Sequence, residues 1–126
     1  MARFLLDTHV LLWSLAEPGK LSDRARDALE NAHNEVFVSA VSAWEITVKR
    51  AKGRLTAPDN LAAVVEERGL THLPLTFHHA ERAANLPPHH RDPFDRFLVA
   101  QAQLEALVLV TRDSRISLYS IRTLKA

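Results

Sequence analysis

The chain has 126 residues, enough for one domain and too few for two of ordinary size. Hydrophobic residues make up 47% and charged residues 25%, which excludes a disordered segment or a membrane-embedded bundle. There is no cysteine, so disulfide frameworks and thiolate metal sites are excluded, and a net charge of +1 gives no overall pull toward nucleic acid.

Residues 3–6 are a short apolar run and predict a strand. Residues 8–16 predict a helix that Pro18-Gly19 ends. The apolar start resembles a signal peptide, but Asp7 and His9 interrupt it and it falls far short of the ~20 residues of a membrane span. Residues 22–32 predict a helix capped by Ser22, and 36–38 a second strand. Residues 42–52 predict a helix stopped by Gly53, and 59–68 another stopped by Gly69. A short strand is expected at 73–75, a helix at 77–85 and a rigid loop at 87–90. Residues 93–105 predict a helix capped by Asp92. The most apolar strand is 107–110, and 120–122 is expected to add an edge strand.

Strands that alternate with helices predict a parallel sheet covered on both faces, an α/β fold. The LVLV run lacks alternation, as expected of a strand buried on both sides. In such sheets, sites form at the carboxyl ends of the strands, near a switch in strand order.

Asp7 follows the first strand directly, and Asp113 follows the LVLVT strand closely, so both are expected at that carboxyl edge. Taken singly, Asp7 is more readily read as a helix cap and Asp113 as a loop aspartate. Glu45 is more informative, because Val41, Trp44, Glu45 and Val48 form the stripe a helix turns to the core. A carboxylate there is costly unless paired or bound to a cation. The bland alternative is a Glu at the stripe's edge paired with Lys49 at i+4. Asp95 repeats the anomaly with Leu98, Val99 and Ala102, although the first turn of a helix favours an anion in any case.

Convergence of these four acids would demand a cation. Mg2+ suits the demand, being hard and oxygen-seeking, and it can activate a water and polarise a phosphoryl oxygen. Arg91, Arg96, Arg112, Arg115, Lys49 and Arg50 lie near the acids in sequence and are candidate phosphate contacts, or equally ordinary surface charges. The pairs His78-His79 and His89-His90 lack metal-site spacing and are expected to be solvated. Trp13 and Trp44 are read as core or interface anchors rather than stacking platforms. No glycine-rich nucleotide motif and no G-x-S-x-G elbow is present, against a nucleotide cofactor or a serine hydrolase.

FLLDTHVLLW, VSAWEITVKRAKGRL, LPPHHRDPFDRFLVAQA and LVLVTRDSRI together resemble the PIN-domain family, and most of all the VapC-type toxins of bacterial toxin–antitoxin pairs. The resemblance runs nearly end to end, as a single domain over 1–126. It implies a three-layer α/β/α sandwich with a central parallel sheet. It also implies an endoribonuclease dependent on Mg2+ or Mn2+, a cognate antitoxin that holds it inactive, and a homodimer. It maps the family's four acids onto Asp7, Glu45, Asp95 and Asp113, with a small hydroxyl in support, either Thr8 or Thr111.

On this reading Asp7, Asp95 and Asp113 hold the metal, while Glu45 completes the shell or orients the attacking water. Arg96, Arg112 and Thr8 contact the RNA, and the protein acts in the cytoplasm, away from membranes. Two rivals stand beside it. One is a non-catalytic RNA- or partner-binding module on the same scaffold. The other is an aspartyl-phosphate enzyme, which wants a second Asp close to Asp7, and none lies within four residues.

Overall fold

The computed structural model describes residues 1–126. Strand β1 (Arg3–Leu6) lies at the centre of the sheet. It pairs in parallel with β2 (Glu35–Ser39) on one side and β4 (Val108–Thr111) on the other. Strand β3 (Thr71–Leu73) extends the sheet beyond β2, and β5 (Thr123–Lys125) extends it beyond β4. The order is β3-β2-β1-β4-β5, all parallel. The chain therefore winds outward from β1 to β3 and then returns to the other side of β1. The crevice between the ends of β1 and β4 is the switch point where such sheets bind ligands.

Helices α1 (Thr8–Ala16), α2 (Asp23–Glu30), α3 (Ala40–Ala51), α4 (Leu61–Glu67), α5 (Phe77–Ala84) and α6 (Pro93–Glu105) connect the strands. Side chains alternate along β1 and sort the helices into two layers. Leu5 faces one core with Leu109, Ala83, Leu98 and Val99, which places α5 and α6 on that face. Phe4 and Leu6 face the other core with Val10, Ala25 and Val65, which places α1, α2 and α4 there. Helix α3 contributes to both, through Val41 and Ile46 respectively. This is the expected α/β/α sandwich. Leu5, Leu98 and Leu109 are fully enclosed, and burying each stabilises the fold by roughly 1.5–3 kcal/mol.

Local signals set most boundaries. Asp7, Ser22, Ser39 and Asp92 each accept a backbone N–H at a helix start. Gly53 and Gly69, at φ +70° and +73°, follow α3 and α4 in the left-handed conformation that glycine adopts without strain. The apolar start is β1 and α1, and no helix is long and apolar enough to cross a membrane.

Both edge strands differ from expectation. β3 ends at Leu73 because Pro74 has no N–H for the ladder. β5 begins at Thr123 rather than at Ser120, because a 3-10 turn at Ile116–Leu118 and a bend intervene. Its register against β4 then turns Leu124 and Ala126 into the second core.

Candidate active site

Four elements deliver acids to the switch-point crevice. Asp7 leaves β1 with its backbone N–H still bonded to Val110 O of β4 at 3.0 Å. Its carboxylate is buried, accepting 3.1 Å from His9 N–H and 2.6 Å from the Thr111 hydroxyl. Burial pushes its pKa up against the opposing pull of those two bonds, and the Glu45 charge adds to the rise.

Glu45 comes from α3 and is only 3% exposed. Its Oε2 pairs with Lys49 Nζ at 2.5 Å, the i+4 pair that the spacing allowed. Its Oε1 is enclosed and has no hydrogen-bond partner. An enclosed carboxylate oxygen without a donor costs free energy unless something else occupies its lone pairs.

Asp95 comes from the first turn of α6, and its carboxyl is pushed up to about 8. Burial is the largest cause, followed by the charges of Asp7, Asp92, Glu45 and Asp113. Asp113 lies just beyond β4. Burial raises its pKa, but bonds from His90 and from Arg115 N–H outweigh burial and hold it below the usual carboxylate range. The Thr111 hydroxyl also accepts from Asp113 N–H at 3.1 Å, so one side chain braces two acids.

The result is a cleft of about 190 Å³ whose walls carry Asp7, Glu45, Asp92, Asp95 and Asp113 against only two cations, Lys49 and Arg112. All four expected acids converge. A fifth, Asp92, joins them while it caps α6 through Phe94 N–H and Asp95 N–H. The donor set is almost entirely carboxylate oxygen, which suits a hard divalent cation. The unpartnered Glu45 Oε1 and the raised Asp95 pKa mark a deficit of positive charge at the same place.

Other expectations require correction. Thr8 is buried and hydrogen-bonds Ser42 at 2.9 Å; it does not line the cleft, and Thr111 is the hydroxyl at the acids. Arg96 is not free for a phosphate. Its guanidinium donates to the carbonyls of Ala83, Leu86, Pro87 and His90 at 2.8–3.1 Å, clamping the loop before α6. Arg112 does line the cleft, stacked 4.4 Å from the Trp13 ring and bonded to the carbonyls of Lys20 and Ala126.

Two of the histidines expected in solvent are buried, His79 and His90. His79 hydrogen-bonds Glu105 at 2.9 Å and completes the capping box of α5 with Thr76. His90 reaches Asp113 at 2.7 Å and Asp95 at 3.0 Å. Its position before R-D-P-F-D is visible in the sequence, but nothing in the spacing marks it as an acid's neighbour. Trp44 is 58% exposed and leans edge-on against Phe94, so it is not part of the core.

A doubly covered parallel sheet with an acid-lined crevice at its switch point defines an α/β/α protein whose candidate site suits a divalent cation. Residues 4–121 match the PIN domain, and the chain belongs to the PIN-domain family. It is 36% identical over 124 residues to Ribonuclease VapC22 of Mycobacterium tuberculosis, covering 92% of this chain and 91% of that relative. The fold is shared with DNA-bound VapBC from Salmonella typhimurium, at TM-score 0.70 and 21% identity over 98% of both chains. It is also shared with VapBC2 from Rickettsia felis bound to a promoter DNA fragment, at TM-score 0.66 and 11% identity over 97% of both chains.

Proposed function

We propose that this chain is a divalent-metal-dependent endoribonuclease, the toxin of a toxin–antitoxin pair, with Asp7, Glu45, Asp95 and Asp113 as its catalytic acids. The observation that carries the proposal is the charge deficit of the cleft: five acids face two cations, and Glu45 Oε1 has no donor at all. Kinship with a ribonuclease supplies the substrate class. Similarity to VapBC structures supports a cognate antitoxin as partner.

Asp7, Asp95 and Asp113 are the residues that would hold the metal, and Mg2+ or Mn2+ is the ion their oxygens suit. When bound, the ion supplies Lewis acidity to the phosphoryl oxygens and lowers the pKa of water. Glu45 lines the cleft with Oε2 held by Lys49 and Oε1 left without a donor, which fits a group that orients water or completes the shell. Lys49 and Arg112 are the cations placed to meet backbone phosphates. The cytoplasm is the compartment where such a toxin would meet RNA and antitoxin.

Incubation of the purified chain with total RNA tests the reading. Discrete fragments are expected with Mg2+ or Mn2+, none with chelator, and growth arrest is expected when the chain is expressed alone. Intact RNA at every metal concentration, from folded protein, would contradict it.

A further inference from the structure

The acids do not stand alone, because His90 lies behind two of them. It is 4% exposed and is absent from the walls of the cleft. Its Nε2 lies 2.7 Å from Asp113 Oδ2 and 3.0 Å from Asp95 Oδ2. Its Nδ1 accepts the backbone N–H of Asp92 at 3.1 Å, which leaves the ring proton on Nε2, where it is donated to Asp113 Oδ2.

That polarity is the reverse of a metal ligand's. A ligating imidazole turns its lone pair to the ion and donates its other N–H to a supporting acceptor. Here the lone pair is spent on the main chain and the proton is given to Asp113. The backbone around the ring is held equally firmly. His90 N–H donates to the Tyr119 hydroxyl at 2.9 Å, that hydroxyl donates to Pro87 O at 2.8 Å, and Arg96 donates to His90 O at 3.1 Å.

We infer that His90 is a positioning residue of the acid cluster, which donates its Nε2 proton to Asp113, stands beside Asp95, and presets the pair for the cation without ligating it. The inference rests on the metal-site reading proposed above. Asp95 belongs to α6 and Asp113 to the loop after β4, and His90 Nε2 lies within 3.0 Å of the one and 2.7 Å of the other. The Nε2–H bond fixes the Asp113 carboxylate against the ring and keeps it beside Asp95. The Tyr119 and Arg96 contacts thereby become the outer support of the site, which accounts for an arginine spent on the carbonyls of the α5 end and the loop before α6.

Two measurements on the whole chain test this. The first is the ring ¹⁵N spectrum of His90 in the wild type, without metal and with Mg2+. A proton on Nε2 is expected in both states. A doubly protonated ring without metal, or an unprotonated Nε2 after Mg2+ is added, overturns the inference. The second is Mn2+ binding by calorimetry to wild type, His90→Ala and His90→Gln. The dissociation constant is expected to rise about 10–100-fold in His90→Ala, with most of that loss recovered in His90→Gln, whose amide keeps an N–H donor. Unchanged binding in His90→Ala, or equal loss in both variants, overturns the positioning role while leaving the metal site standing. A wild type that binds no Mn2+ removes the metal reading, and this inference with it.

Discussion

The Thr111 hydroxyl, at the end of β4, donates a 2.6 Å hydrogen bond to Asp7 Oδ2 at the end of β1 and accepts 3.1 Å from Asp113 N–H. One buried hydroxyl thus ties together two acids that are 106 positions apart in the chain (113 − 7). Thr111→Val keeps the shape and removes the donor. It is expected to cost about 1 kcal/mol at neutral pH in chemical denaturation, and to weaken Mn2+ binding. Thr111→Ser should behave as wild type in both measurements. Equal behaviour of Val and Ser would show that the hydroxyl only fills space.

The raised Asp95 pKa sets a pH dependence. Its carboxyl titrates near the ordinary 3.8 when unfolded and at about 8 when folded. Between those values the folded state holds a proton that the unfolded state has lost. Stability of the metal-free protein must therefore fall as pH rises from about 4 to about 8. Asp95→Asn removes the proton linkage, so its metal-free melting temperature should fall less over that range and exceed that of the wild type at pH 8. Saturating Mg2+ should flatten the wild-type profile as well, since the cation replaces the proton. A metal-free wild-type melting temperature that rises steadily from pH 5 to 8 would contradict the account.

Residues whose neighbours in sequence are also their neighbours in space were readable without coordinates. Asp92 capping α6, Gly53 and Gly69 ending helices, and Glu45 on an inward stripe all follow from spacing along one element. The convergence of the four acids followed from strand ends, stripes and resemblance together. What was not legible involves contacts between distant segments. Arg96 reads as a cation beside an acid, yet it is consumed by carbonyls of the α5 end and the following loop, up to 13 residues away. His90 reads as half of a solvated pair, yet Asp113 and Tyr119 enclose it. Thr8 and Thr111 both follow or end a strand, and only the strand pairing decides which hydroxyl reaches an acid. The edge strands shifted because three-residue elements carry too little pattern to fix a register.

Arg96→Ala should act on stability before it acts on RNA. Its removal leaves the carbonyls of Ala83, Leu86 and His90 without their donor, so a loss of roughly 2–4 kcal/mol is expected. Arg112→Ala, at the cleft wall, should instead weaken RNA binding and lower its salt dependence. Denaturation curves and binding at several ionic strengths separate the two. An Arg96→Ala protein of wild-type stability would contradict the clamp.

Two acids three residues apart give the sharpest test, because the account assigns them different work. Asp92 caps α6, and Asp95 faces the centre of the cluster. The measurement is single-turnover RNA cleavage, normalised to folded protein, by wild type, Asp92→Ser and Asp95→Asn in Mg2+, with wild type in chelator as control. Serine preserves a capping oxygen, so Asp92→Ser should retain most of the activity. Asp95→Asn should lose about 100-fold or more, and the wild type should be silent in chelator. Cleavage by Asp95→Asn at the wild-type rate, or by the wild type without a divalent ion, would contradict a metal-dependent nuclease centred on these acids.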